Sequence, residues 1–173
     1  DIVDELHNIV VFITLESSDT FYSSHSEGFS SLASGNYSHA EGDTCEASEY
    51  ASHAEGMETT ASGYASHAEG NWSYASEHAS HAEGNYTEAN GGASHAEGEG
   101  VEASGYASHA EGYATTASGY ASHAEGDSTI VSSSYSHAEG YATKASSIYQ
   151  HVQGKYNIED TTNTYARSVG GGT

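Results

Sequence analysis

Residues 107–120 read Ala-Ser-His-Ala-Glu-Gly-Tyr-Ala-Thr-Thr-Ala-Ser-Gly-Tyr, and versions of this stretch recur along most of the chain. A histidine falls every 14 residues from His25 to His151, and eight of these ten copies read His-Ala-Glu-Gly. Similarity at a fixed period is the sequence signature of a repeat architecture. Residues 25–154 are therefore predicted to form a solenoid with a 14-residue unit.

Each unit divides into two similar halves of seven residues that share a small-x-Ala-x-Gly pattern, as at Ser108, Ala110 and Gly112. Alternation with period 2 predicts a strand, and the glycine at its end predicts a tight turn with positive φ. The expected fold is all-β, a parallel β-roll with two short strands per 14-residue coil. Coils stacked about 4.8 Å apart would give nine coils a length of roughly 45 Å.

Two columns of small residues are predicted to fill a thin core. The alanine column is Ala33, Ala47, Ala61, Ala75, Ala89, Ala103, Ala117, Val131 and Ala145, and the column two residues before it is Ser31, Cys45, Thr59, Ser73, Thr87, Val101, Thr115, Thr129 and Thr143. Cys45, the chain's one cysteine, is interpreted as a buried filler because no activating base lies beside it in sequence.

The outward positions of the first strand hold His and Glu, and they differ from other outward positions in their constancy. His occurs in ten copies of ten and Glu in nine, whereas the outward column of the second strand varies. Duplication alone would have preserved all columns equally, so the His–Glu face is under constraint.

Self-association explains this constraint best: the face would line the axis of a homotrimer, with each His donating to a Glu of the next chain. The predicted interface residues are His39, Glu41, His53, Glu55, His67, Glu69, His81, Glu83, His95, Glu97, His109, Glu111, His123, Glu125, His137 and Glu139. If neutral His and ionised Glu pair across subunits, acid is expected first to strengthen the pairs and then to disrupt them as Glu protonates.

Three other interpretations of the His–Glu face stay open. Stacked imidazoles and carboxylates suit Zn²⁺ or Ni²⁺, although ten identical sites exceed what a dedicated metal site needs. Catalysis by Ser108 and His109 is disfavoured because they point to opposite faces, so no enzyme activity is expected. Separately, no cofactor and no resident metal are expected. The last alternative is a simply solvated polar face.

Composition restricts the partners. Against 25 acidic residues stand 3 basic ones, for a formal charge of −22. Such a charge repels nucleic acid and anionic lipid, so neither is an expected partner. No signal peptide and no membrane-spanning segment are recognised, so membrane insertion is not expected.

The flanks differ from the repeats, and the chain is expected to be part of a longer protein. Residues 1–24 are predicted to be a connector, either a short coiled coil on Ile2, Leu6, Ile9 and Ile13 or a strand over the run at residues 10–15. Residues 155–173 are predicted to be a cap or the start of a further domain.

The coils resemble the head repeats of trimeric autotransporter adhesins of the YadA type, which form a left-handed parallel β-roll assembled as a trimer. In that family two aliphatic residues face the threefold axis, where this chain has His and Glu, as at His67 and Glu69. The Ser-His-Ala-Glu-Gly form, and the tail from His151 to Gly170, look more like appendage and tail-fibre proteins of phages and prophages of Gram-positive bacteria. There the tail leads into a C-terminal intramolecular chaperone that assists trimerisation and that, in some of these proteins, is removed by self-cleavage.

These resemblances imply a structural and host-surface-binding segment of a trimeric phage or prophage fibre, located in the virion. The alternative is a trimeric adhesin head at the bacterial cell surface. The expected partners are two further copies of the chain and a bacterial cell-surface component, for which glycans are one class. Five aromatic residues are candidate sugar platforms, with turn coverage as their alternative role: Trp72, Tyr74, Tyr86, Tyr113 and Tyr141.

Overall fold

The fold is a parallel β-solenoid of about nine turns, seen in a computed structural model that describes residues 22–157, 159, 161–162 and 167–171. Each turn contributes one five-residue strand and one two-residue strand, and no helix occurs in the described residues. The predicted all-β class, the 14-residue coil and the two short strands per coil are confirmed.

The two kinds of strand form two separate sheets. The 11-stranded sheet contains β1 (His25–Phe29), β3 (His39–Asp43), β5 (His53–Met57), β7 (His67–Asn71), β9 (His81–Asn85), β11 (His95–Glu99), β13 (His109–Tyr113), β15 (His123–Asp127), β17 (His137–Tyr141), β19 (His151–Lys155) and β20 (Arg167–Gly170). The nine-stranded sheet contains β2 (Leu32–Ala33), β4 (Glu46–Ala47), β6 (Thr60–Ala61), β8 (Tyr74–Ala75), β10 (Glu88–Ala89), β12 (Glu102–Ala103), β14 (Thr116–Ala117), β16 (Ile130–Val131) and β18 (Lys144–Ala145).

The register keeps every repeat position directly above its counterpart. In the 11-stranded sheet His95 pairs with His109 and Ala96 with Ala110, a step of 14 residues. The step lengthens at the last rung, where His151 of β19 pairs with Arg167 of β20, 16 residues later. A constant step turns each position of the repeat into a straight column.

The core consists of the small residues that the alternation predicted. Ala110, on the five-residue strand, and Ala117, on the two-residue strand, have no exposed surface, and Thr115 is buried beside them. Cys45 is also buried, with its Sγ atom 3.2 Å from the carbonyl oxygen of Gly56, which confirms its interpretation as a filler. Because alanine, serine and threonine bury little apolar area, each coil depends on its neighbours for stability.

The turns differ from the prediction that glycine would supply their positive φ. A left-handed residue occurs at every seventh position, and apart from Gly100 it is not glycine, as at Ala51 and Ala65, where φ is 53°. Stacking holds these residues in place, because the Ala65 amide donates to the Tyr50 carbonyl oxygen of the previous coil at 2.8 Å. The glycine of His-Ala-Glu-Gly does have positive φ, 111° at Gly112, but it lies within the five-residue strand, one residue before its end.

The serine before the histidine closes the second turn of the coil in several repeats, as at Ser108 and Ser122, and Gln150 takes this place before His151. The serine Oγ donates to the carbonyl oxygen three residues earlier, at 2.7 Å for Ser108 to Gly105 and for Ser122 to Gly119. This bond satisfies a buried hydroxyl and gives the Ser-His-Ala-Glu-Gly serine a structural role.

The connector predicted for residues 1–24 lies outside the described residues, apart from residues 22–24. Within the described part of the chain, no helix of a length and hydrophobicity suited to crossing a membrane is found.

Candidate functional site: the histidine–glutamate face

Ten histidines stack into one column on the outer surface of the 11-stranded sheet, referred to here as the histidine ladder. Between His39 and His137 the imidazole centroids of successive coils lie 4.6–4.8 Å apart, with interplanar angles of 1–15°. Both end contacts are less parallel, 62° between His25 and His39 and 39° between His137 and His151. The period of the sequence therefore produces a continuous stack of half-buried rings.

Glutamates form a second column beside the ladder, two residues after the histidine on the five-residue strands from β1 to β17, and β19 has Gln153 in this place. The Nε2 of His39 lies 3.5 Å from the Oε2 of Glu41, and the corresponding distance from His109 to Glu111 is 3.7 Å. These pairs lie within one strand of one chain. Their distances exceed the 2.7–3.2 Å of a normal N–H···O hydrogen bond, so the carboxylates approach the rings without bonding to them.

The Nε2 atoms of the ladder are shielded from solvent and have no hydrogen-bond partner. This holds for His39, His53, His67, His81, His95, His109, His123, His137 and His151. A shielded polar atom without a partner costs on the order of 1–3 kcal/mol, so such atoms are normally satisfied in the functional state of a protein.

Shielding also affects the protonation of the ladder. Burial lowers the pKa of five histidines below the usual 6.5, and the histidine of an adjacent coil lowers it further in each case: His67, His81, His95, His123 and His137. Burial, together with the neighbouring Glu139 and Glu111 carboxylates, raises the pKa of Glu125. The ladder therefore favours neutral imidazoles.

We expect the melting temperature to fall as the pH is lowered from 7.5 to 5. The unfolded histidines take up protons near pH 6.5, whereas those of the folded ladder do so only at lower pH, so acid favours the unfolded state. The raised pKa of Glu125 acts in the opposite direction, but it concerns one carboxyl against five histidines. This direction is opposite to the initial strengthening expected from the sequence.

The pH dependence is measured by thermal melts of two single variants. His95→Asn, within the ladder, should reduce the slope of melting temperature against pH. His78→Asn, an exposed histidine outside the ladder, should leave it unchanged. A melting temperature that rises on acidification would show instead that charged pairs dominate.

Three groups on this face bring two histidines and one glutamate within 4.8 Å of one another: His81, Glu83 and His95; His109, Glu111 and His123; His123, Glu125 and His137. The rings of His81 and His95 are parallel, with 3° between their planes and 4.7 Å between their centroids. Zn²⁺ needs nitrogen ligands at about 2.0–2.1 Å that converge on one point. Parallel rings cannot converge, so one ring of a pair would have to turn before both could bind the same ion.

The serine and histidine of the Ser-His-Ala-Glu-Gly motif are not placed to share a proton, as Ser108 and His109 illustrate. The Ser108 side chain is buried and donates to Gly105, while His109 lies on the outer surface. Serine and histidine thus occupy opposite faces, as the strand alternation predicts.

The five predicted recognition aromatics do not form one cluster. Trp72 and Tyr86 stack with centroids 6.0 Å apart, and Tyr74 lies on β8 of the other sheet. Tyr113 and Tyr141 end β13 and β17, which are separated by β15. Among these five described residues, only Trp72 and Tyr86 stack on each other, so this pair is the strongest part of the predicted recognition site.

Sequence reasoning missed a second aromatic column at the turn after the two-residue strand. Tyr50 and Tyr64 stack 5.0 Å apart, and Tyr64 stacks on His78 at 5.3 Å with an interplanar angle of 3°. A further segment begins with Tyr106 on Tyr120, at 5.5 Å. The 14-residue spacing of these tyrosines was the signal available in the sequence.

No protein-family model matches this chain, and no curated protein shows significant similarity to it.

Proposed function

We propose that the chain is a rigid structural and host-surface-binding segment of a homotrimeric phage or prophage tail fibre or appendage, in which the solenoid is a left-handed roll. The observation that carries this proposal is the continuous histidine ladder with its shielded, unbonded Nε2 atoms. Such a surface is suited to a neighbour that supplies the missing hydrogen bonds.

A trimer would satisfy the ladder through the glutamate column. At five histidines the carboxylate of the same strand lies 3.5–3.7 Å from Nε2, beyond hydrogen-bonding distance, so each Nε2–H is left to donate to a glutamate of the neighbouring chain. Neutral imidazoles suit this role, because their N–H can donate to an ionised carboxylate without introducing stacked positive charges. The core of small residues buries little apolar area, so burying one face against other chains would add to the stability of each chain.

The rest of the surface would be available for recognition. Its outward columns vary from coil to coil and carry exposed tyrosines, among them Tyr86 and Tyr113. A fibre that keeps its scaffold while its receptor contacts change is expected to have a constant face at the subunit interface and a variable face towards solvent. The His–Glu face and the remaining surface match these two expectations.

The same roll would also suit the head of a YadA-type adhesin, and the gene's surroundings separate the two functions. We expect neighbouring genes for tail and baseplate proteins. A coiled coil followed by an outer-membrane anchor further along the same gene would favour the adhesin.

The trimer is tested by sedimentation equilibrium, where we expect a mass of about three chains of 18.0 kDa each. Replacing Glu97 and Glu111 by Ala should raise the dissociation concentration at least tenfold, since both carboxylates lie on the ladder face. The matched control replaces Glu88 and Glu102 by Ala, in adjacent coils of the other sheet, and should leave the mass unchanged. A stable monomer, or equal effects of the two double variants, would overturn the assembly.

A further inference from the structure

The aromatic column at the second turn has a one-coil gap, which is referred to here as the Gly92 slot. His78 and Tyr106 occupy the same column position two coils apart, and Gly92 stands between them. Below the gap, Tyr64 and His78 stack at 5.3 Å; above it, Tyr106 and Tyr120 stack at 5.5 Å. Among the described residues, the coil of Gly92 therefore contributes no ring of its own between two stacks of rings.

The floor of the slot is fixed by backbone hydrogen bonds. The Ala93 amide donates to the His78 carbonyl oxygen, and the Ala107 amide donates to the Gly92 carbonyl oxygen, both at 2.8 Å. The three layers thus keep the coil spacing although the middle one lacks a side chain. The Tyr106 ring leans over the floor: its Cδ2 and Cε2 would lie 3.0 and 3.1 Å from a β-carbon placed on Gly92.

From this geometry we infer that the Gly92 slot binds a neutral pyranose ring between His78 and Tyr106. Two coils separate the walls by about 9.6 Å, so a ring held midway would stand about 4.8 Å from each. A flat ring would fall short of the 3.5–4.0 Å carbon contacts on both sides. A sugar chair has atoms on both sides of its mean plane, so these atoms come within contact distance of both walls. The Tyr106 ring, which leans over Gly92 in the free protein, would rotate away from the slot when the sugar binds.

Charge and polar groups select the class of sugar. The chain carries a net charge of −22, which disfavours uronic acids and phosphorylated glycans. Asn90, two residues before Gly92, accepts from the Ser76 hydroxyl at 2.9 Å and donates to Glu88 at 2.9 Å, so oriented polar groups lie on the same turn. Exposed aromatic faces beside oriented amides and hydroxyls are suited to neutral sugars, whose C–H and O–H groups point in different directions.

The slot is tested by NMR titration of the protein with methyl β-glucoside, methyl β-galactoside and N,N′-diacetylchitobiose, with glucuronic acid as the anionic comparison. We expect millimolar binding of at least one neutral sugar, with shifts at the Gly92 and Ala93 amides and none with glucuronic acid. If no neutral sugar binds, or the shifts map elsewhere, the slot is rejected.

Gly92→Tyr is the decisive variant, because it fills the slot without removing a wall. Tyrosine occupies the same column position at Tyr64. The added β-carbon is crowded only by the movable ring of Tyr106, since the His78 carbonyl oxygen lies 3.9 Å away, so the fold should be kept. Binding should be lost with an unchanged or higher melting temperature. His78→Ala should weaken binding at least tenfold, whereas Tyr50→Ala, in the uninterrupted stack, should have no effect. Binding that survives Gly92→Tyr, or that is lost in Trp72→Ala instead, would overturn the assignment.

The sugar-binding slot rests on the proposed role in host-surface recognition. It does not depend on the proposed trimer, because all of its residues belong to one chain. The titration is performed on protein of known mass. A monomer that binds sugar through the slot would overturn the trimer alone, and a trimer that binds none would overturn the slot alone.

Discussion

Gly112→Ala should destabilise the solenoid by on the order of 3 kcal/mol, among the largest effects expected of a single substitution here. Gly112 has a φ of 111°, a conformation that residues with a β-carbon rarely adopt. An added β-carbon would lie 2.1 Å from the carbonyl oxygen of Gly126 in the next coil. Relief requires β13 and β15 to separate, which breaks their hydrogen bonds.

Gly100→Ala provides the matched control for this prediction. Its φ is 65°, and the nearest atoms to an added β-carbon are the Cα and N of Ala114, both at 4.0 Å. Ala114 already holds a φ of 51° at the equivalent position, so the expected loss is about 1 kcal/mol or less. Urea unfolding followed by circular dichroism measures both variants. Equal losses would show that steric contact between coils is not what requires glycine in His-Ala-Glu-Gly.

The coil and its core could be predicted from the sequence because they follow from local periodicity. Alternation assigned Ala110 and Thr115 to the interior and His109 to the surface, and the burial of each agrees. Only small residues occupy the inward columns, so a thin two-sheet core was the one packing consistent with them.

The turns could not be predicted in the same way, because their conformation is imposed by stacking. Ala51 and Ala65 are left-handed although alanine has no preference for that region. Each is held by a hydrogen bond to the coil before it, as from the Ala51 amide to the Asn36 carbonyl oxygen at 2.8 Å. Intrinsic preference predicts positive φ at glycine. In the structure, hydrogen bonds between coils impose a left-handed conformation on the residue at every seventh position, whatever its type.

The candidate site also has one part that the sequence predicts and another part that requires the structure. Constancy of His and Glu among the copies identified the ladder face, since that comparison needs only the sequence. The shielding of the Nε2 atoms and the position of the Tyr106 ring over Gly92 depend on ring positions in successive coils, which the sequence does not give. The partner of the ladder depends on a second chain's surface, which the internal period does not specify.

Deleting a whole coil should leave a folded solenoid, whereas deleting half a coil should not. Removal of residues 113–126 joins Gly112 to Asp127, which holds the column position of Tyr113, so every later strand keeps its sheet. Each coil contacts its neighbours only, so the loss of one should lower the melting temperature by a few degrees. The rod should shorten by about 4.8 Å, measurable by small-angle X-ray scattering.

Removal of residues 113–119 is the matched control, because it cuts the same site by half a period. Gly112 would then join Tyr120, and the His123 strand would fall where the two-residue strand belongs. At the deletion a five-residue strand would lie on a two-residue strand, so three of its five residues would lose their pairing. All later histidines would lie on the wrong sheet, and the ladder would be interrupted. We expect a broad, low-temperature melt or insoluble protein. A half-coil deletion as stable as the whole-coil deletion would mean that the two halves of the repeat are interchangeable, and that the ladder does not depend on a 14-residue coil.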